Sequence, residues 1–155
     1  MLVQQSFLVL EDSPIRAIAD VDQGGRKIGG TRADSITLFM KRKFKQTTLV
    51  ELENNPAEIK RMLTGKEIDA FGANRQRLTT LMKDVPGSRL LSDNLFNVPQ
   101  NIVVPMGKPE VVAAVNAFLD DVRASGFLRD AIAKGGAVGV EAAPKSPGSQ
   151  HGCPG

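Results

Sequence analysis

The chain predicts an α/β domain, a mainly parallel sheet flanked by helices. Three observations carry this. Short apolar, β-branched runs alternate with segments of helical period. Most helical segments open on a capping residue or a proline. Turns containing Gly, Pro or Asn separate the two kinds of segment. Such alternation gives βαβ units, in which parallel strands need helices on both faces.

Gln5–Leu10 reads as the first strand, and Ser13-Pro14 then suits a helix start, with Ile15 and Ile18 sharing a face. Asp22-Gln23-Gly24-Gly25 is a turn. Arg26–Gly30 is the next strand and Thr31–Ala33 a tight turn, before a helix opening at Asp34 or Ser35. Ile36, Phe39, Met40 and Phe44 share one face of that helix, and Lys41, Arg42, Lys43 and Lys45 crowd its end, where cations suit the dipole. Thr47–Leu52 is a strand. Asn55-Pro56 starts a helix lined by Ile59, Met62 and Leu63 and ended by Gly65. Glu67–Phe71 follows as a strand, and Asn74 caps a helix carrying Leu78, Leu81 and Met82. Pro86-Gly87 turns the chain into a short strand, Arg89–Leu91.

The pattern then changes. Pro99–Pro105 holds the apolar run Asn101–Val104, read as a strand bounded by prolines. Pro109 opens a long helix with Val112, Val115, Phe118, Leu119 and Val122 on one stripe. Ser125-Gly126 breaks it, and a second helix, Phe127–Lys134, stops at Gly135-Gly136. From Glu141 the composition of Pro, Gly and Ser predicts a disordered tail.

Bulk properties narrow the function classes. A length of 155 residues, 41% hydrophobic and 24% charged, fits one ordinary domain. The net charge of +3 and the absence of Trp and Tyr argue against a nucleic-acid platform. A single cysteine, Cys153, excludes an internal disulfide framework. No apolar run reaches membrane-spanning length, and the first residues lack the charge and apolar length of a signal peptide. In a parallel sheet, ligands sit beyond the carboxyl ends of strands, where turns enter helix N-termini. Thr31–Ser35 and Gly72–Arg75 are the two turns with suitable content.

Three segments carry a family resemblance: TGKEIDAFGAN at Thr64–Asn74, VVPMGKP at Val103–Pro109 and FLDDVRASGFLRDAI at Phe118–Ile132. Their order and spacing resemble the later part of type 2 periplasmic solute-binding proteins. The nearest likeness is to the amino-acid-binding type of ABC importers (extracellular solute-binding protein family 3), over roughly Gln5 to Val140. That family clamps ligand between two α/β lobes joined by crossover strands. The resemblance implies a crossover strand in residues 1–12, a second lobe in 13–97, a return strand with C-terminal helices in 98–140, and a tail in 141–155. The C-terminal helices would belong to a first lobe whose greater part is missing, so the chain would be a C-terminal part only: a truncation, an expressed domain or an incomplete gene.

Amino-acid-binding members place Gly-Ser/Thr-Ser/Thr in the turn after the second-lobe strand, where it binds the ligand carboxylate. Ala33, Asp34 and Ser35 match it here. Ser35 keeps the chemistry, Asp34 brings a negative charge, and Ala33 replaces the glycine that tolerates unusual backbone angles. Asp34 and Ser35 equally suit a helix cap. Thr31 and Arg32 share the turn, and Arg32 would supply a positive charge. Asn74 stands where α-amino-acid binders carry an Asp for the ligand ammonium; as an uncharged residue it favours a neutral or anionic solute, and it too suits a cap. Arg75 and Arg77 read as solvated helix charges. The expected ligand-binding residues are therefore Thr31, Arg32, Asp34, Ser35 and Asn74.

Other motifs carry less. Gly24–Thr31 approaches a phosphate-loop pattern, but Gly30 stands where its lysine belongs. Lys41–Lys45 reads as a basic, solvated last turn, and His151 and Cys153 are too few for a metal site. Asp120 and Asp121 form no acid–base pair, and no nucleophile–base–orienter set is legible. The reading is a non-catalytic binding module without cofactor or metal. It would bind a small polar solute, an amino acid or organic acid, and in a full-length protein dock on an ABC permease. A periplasmic dehydratase fragment and a ligand-sensing or interaction domain are the competing readings. Localisation by resemblance is periplasmic. The apolar stripe Val112–Val122, left uncovered, would drive a homodimer.

Overall fold

The computed structural model describes residues 1–144, and the greater part of the expected tail, with His151 and Cys153, lies outside them. Strands β1 (Leu2–Leu10), β2 (Lys27–Thr31), β3 (Thr48–Leu52), β4 (Ala70–Asn74), β5 (Ser88–Leu90), β6 (Phe96–Pro99) and β7 (Val140–Glu141) form one sheet. Helices α1 (Ser35–Lys43), α2 (Pro56–Thr64) and α3 (Arg75–Asp84) pack on it, and α4 (Pro109–Ala124) and α5 (Phe127–Lys134) follow.

The path through the sheet is β3-β2-β4-β1-β5. β2 pairs in parallel with β3 and β4, as βαβ connections require. β1 pairs antiparallel with β4, β5, β6 and β7. The expected α/β architecture with helices on both faces is present, but the sheet is mixed rather than mainly parallel. The reason is that β1 precedes every crossover helix and enters the sheet against the common strand direction.

Alternation along the strands sorts the core into two layers. On one face Leu8, Phe71 and Ala73 meet Ile59 and Leu63 of α2 and Leu78 and Leu81 of α3. On the other Phe7, Val9, Ile28 and Ala70 meet Ile36 and Met40 of α1. Helix and sheet approach closely: a Cβ added at Gly72 would lie 2.8 Å from the Phe7 ring and 3.0 Å from Ile36 Cδ1, and one at Gly29 2.6 Å from Ile68 Cδ1. The glycines of the second and fourth strands thus set the layer spacing.

Helix α1 has the predicted frame: Asp34 is its N-cap and Lys41, Arg42 and Lys43 occupy its last turn. Four expectations are corrected. Residues from Ser13 make no helix; Arg89 donates to the Ser13 and Ile15 carbonyls, Asp20 Oδ2 accepts from the Arg16 and Ala17 N–H groups, and only a 3-10 turn forms at Ile18–Asp20. The fourth strand lies at Ala70–Asn74, later than Glu67–Phe71, because it pairs with Gln5–Leu8. The return strand lies at Phe96–Pro99, before Asn101–Val104; the Gln100 N–H meets the Met1 carbonyl at 2.8 Å, where β1 runs out, and Val103 beyond it is 92% exposed. Glu141 falls in a strand, opposite Leu2, so the expected tail is ordered at its start.

Asp22 fastens the turn before β2 to the turn after α1. Its carboxylate accepts from the Lys45 N–H at 2.9 Å, Gln46 at 2.9 Å and Thr47 at 3.1 Å. Desolvation pushes its pKa up, yet the three backbone donors outweigh that and hold it below the ordinary carboxylate value. A lowered folded pKa means stabilisation that is complete above about pH 4, the unfolded value, and fades as pH falls through the folded one. Asp22→Ala should cost about 1–2 kcal/mol near neutrality and flatten the acid limb of stability, measured by urea unfolding from pH 7 to 3; an unchanged acid limb would refute this. Ala33 sits at φ 61°, the left-handed region that L side chains rarely adopt. Ala33→Gly should therefore raise stability by about 0.5–1 kcal/mol in the same assay, and a loss would show that its backbone is unstrained.

Candidate functional site

Because β2, β3 and β4 run parallel, their carboxyl ends share one edge of the sheet. The N-termini of α1, α2 and α3 open there, capped by Asp34, Asn55 and Asn74. Each cap is a short polar residue directly after a strand or its turn, where a side-chain oxygen can reach the free N–H groups of the first helical turn.

The structure brings the expected residues to this edge and shows how each is engaged. Asp34 Oδ1 accepts from the Ile36 N–H at 3.4 Å and from Ser35 Oγ at 3.1 Å. Asn74 Oδ1 accepts from the Arg77 N–H at 2.9 Å. Both side chains thus serve as helix caps. Ser35 is exposed beside Asp34, and Arg32, also exposed, forms a solvent-facing ion pair with Glu53 at 3.4 Å. Such a pair contributes little to stability and leaves Arg32 free to exchange partners. Thr31 ends β2 and accepts from Arg77 Nη1 at 3.0 Å.

Two residues matter more than the sequence indicated. Arg77 is no solvated charge: its side chain is 25% exposed and spans the strand ends. Nη1 reaches Thr31 and comes within 4.0 Å of Asp34, Nη2 donates to Asn54 Oδ1 at 2.6 Å, and the guanidinium carbon lies 5.6 Å from the Phe71 ring centre. Arg75 turns the other way, donating to Asn94 Oδ1 and to the Leu91, Ser92 and Asp93 carbonyls at 2.8–2.9 Å, which pins the loop after β5. Helical spacing marks both as surface positions. Only the non-local placement of β2, β3 and the loop after β5 gives them partners.

Chemically the edge offers a hydroxyl (Ser35), a movable guanidinium (Arg32) and capped helix starts, a set that suits a small polar or anionic group. Among the described residues no group of three or more His, Cys, Asp or Glu is placed to hold a metal, and no helix is long and apolar enough to cross a membrane. A cavity of about 580 Å³ lies elsewhere, between α5 and the approach to β7, lined by Ile132, Ala137, Val138 and Val140.

No family model matches the chain, and no curated protein matches it in sequence. Solved structures do match in fold. An amino acid ABC transporter substrate-binding protein from Streptococcus pneumoniae, AbpA bound to L-arginine, superposes with a TM-score of 0.65 at 16% identity, covering 91% of this chain and 60% of its own. An ancestral arginine-binding protein bound to glutamine gives 0.64 at 18% identity, over 86% of this chain and 60% of its own. An ancestral cyclohexadienyl dehydratase gives 0.55 at 20% identity, over 86% and 57%. The chain spans 57–60% of the length of these structures. It thus has the fold of the substrate-binding proteins of amino-acid ABC transporters, in a partial form.

Proposed function

We propose that the chain is a ligand-binding lobe of a two-lobe solute-binding protein, and that it contributes the sheet edge at Thr31, Arg32, Asp34, Ser35 and Asn74 to a site for an amino acid or small organic acid. The observation that carries this reading is the convergence of three helix N-termini on that edge, with the Ser35 hydroxyl and the Arg32 guanidinium exposed beside them. The cap bond of Asn74 engages only its Oδ1, and Asn74 without charge favours an anionic or neutral solute.

In this reading the paired segments Leu2–Gln5 and Phe96–Pro99 are the crossover strands about which two lobes close. A full-length protein of this kind works outside the cytoplasmic membrane and hands its solute to an ABC permease. The chain itself performs no catalysis. The dehydratase among the fold neighbours motivates a second reading, which a screen for phenylpyruvate formation separates from the first.

Half a site binds weakly. A thermal-shift screen of this chain against amino acids, organic acids and sugars should show a rise in melting temperature at millimolar amino acid or organic acid and none with sugars, with the rise reduced in Ser35→Ala. Absence of any shift would count against the reading, and a micromolar affinity by calorimetry would show a complete site. The C-terminal helices bear Phe118 and Phe127, 61% and 64% exposed. Burying that surface against a second copy should give a dimeric mass in light scattering, and a monomer at high concentration would exclude the dimer.

A further inference from the structure

The four groups that surround the end of Arg77 come from separate places in the chain. Thr31 ends β2, Asn54 follows β3, Asp34 caps α1 and Phe71 lies within β4. They present two neutral oxygen acceptors, one carboxylate and one aromatic face. Thr31 Oγ1 and Asn54 Oδ1 are met by different terminal nitrogens of one guanidinium, at 3.0 Å and 2.6 Å. The Asp34 carboxylate balances the charge from 4.0 Å, with both side chains about three-quarters buried (25% and 23% exposed), and Phe71 faces the guanidinium carbon at 5.6 Å. This set selects for a planar, delocalised cation. A compact ammonium is a point charge that does not span two acceptors and cover a ring at once.

We propose that this cluster is a guanidinium-binding site that the chain fills with its own Arg77, an autoinhibitory contact closing the cluster to planar cations from solution. The site is made by residues other than Arg77 and is reached by that side chain from α3, so removing the side chain leaves the acceptors and the ring in place. The cluster shares Thr31 and Asp34 with the solute site proposed above, but it is read from the contacts of Arg77 and does not depend on that reading. The solute screen reads the wild-type chain, whereas the cation test reads the difference between the wild type and a variant.

The test compares the melting temperatures of the wild type and Arg77→Ala in millimolar methylguanidinium chloride and in methylammonium chloride at equal ionic strength. The variant should melt lower in buffer. Methylguanidinium should restore at least half of the loss and methylammonium little, while the wild type distinguishes the two salts weakly or not at all. Adding Asp34→Asn to the variant should diminish the rescue. Should Arg77→Ala fail to fold, Arg77→Met keeps the apolar stem and is read in the same way; folding of either variant in methylguanidinium but not in methylammonium supports the site. Equal response of the variant to both salts, no response to either, or a wild-type response as large as the variant's overturns the proposal.

Discussion

The structure depends on one strand serving as partner to four others. Both edges of β1 are used along its length. Its second half lies between β4 and β5, and its first half between β7 and β6. Its side chains alternate between the two hydrophobic layers, with Phe7 and Val9 in one, Leu8 in the other, and all three fully buried. A register slip of one residue would exchange the layers and strand Phe7 against the wrong helices. Because β1 fixes β4, and β4 fixes β2, the position of the carboxyl edge follows from the register of β1.

That edge illustrates how local and distant demands meet on the same residues. Asn74 ends a strand and caps a helix, so it stands where the ladder hydrogen bonds stop and the free N–H groups of α3 begin. Asp34, in the turn after β2, caps α1 while balancing a guanidinium from α3 across the end of that strand. A charge that would repel a carboxylate ligand is therefore already paired within the lobe. What remains facing solvent is the Ser35 hydroxyl and the exposed Arg32–Glu53 ion pair. The edge thus combines a neutralised interior with a polar rim whose charges are themselves paired.

Much of this was legible because its causes are local. The start and end of α1 follow from Asp34, the spacing of Ile36 and Met40 and the basic last turn, all within one short stretch. The same holds for α2 between Asn55 and Gly65. Features decided by distant partners were misplaced. The limits of β4 and β6 depend on β1, and Arg89 of β5 captures the carbonyls that a helix after Ser13 would have needed for itself. The turn residues Thr31–Ser35 were recognisable from type and order. The partners of Arg77 were not, since Thr31 and Asn54 lie on other strand ends, far from it in sequence, and only the folded sheet brings them beside it and the Phe71 ring of the preceding strand.

Every residue of α4 and α5 is exposed or half-buried. Ordered backbone pairing reaches this section through short links: the bond between Gln100 and Met1 on one side and β7 with the bond from the Gln4 N–H to the Gly139 carbonyl on the other. With no core of its own to hold it, the section from about residue 100 to 139 has a low free energy of local opening, while the layers around β1 open only with the whole lobe. Amide exchange would divide the chain into these two tiers, and a protease would find its first cleavable bonds in the exposed stretch Ile102–Met106. The lobe that carries the polar edge is thereby thermodynamically insulated from the fate of the C-terminal helices.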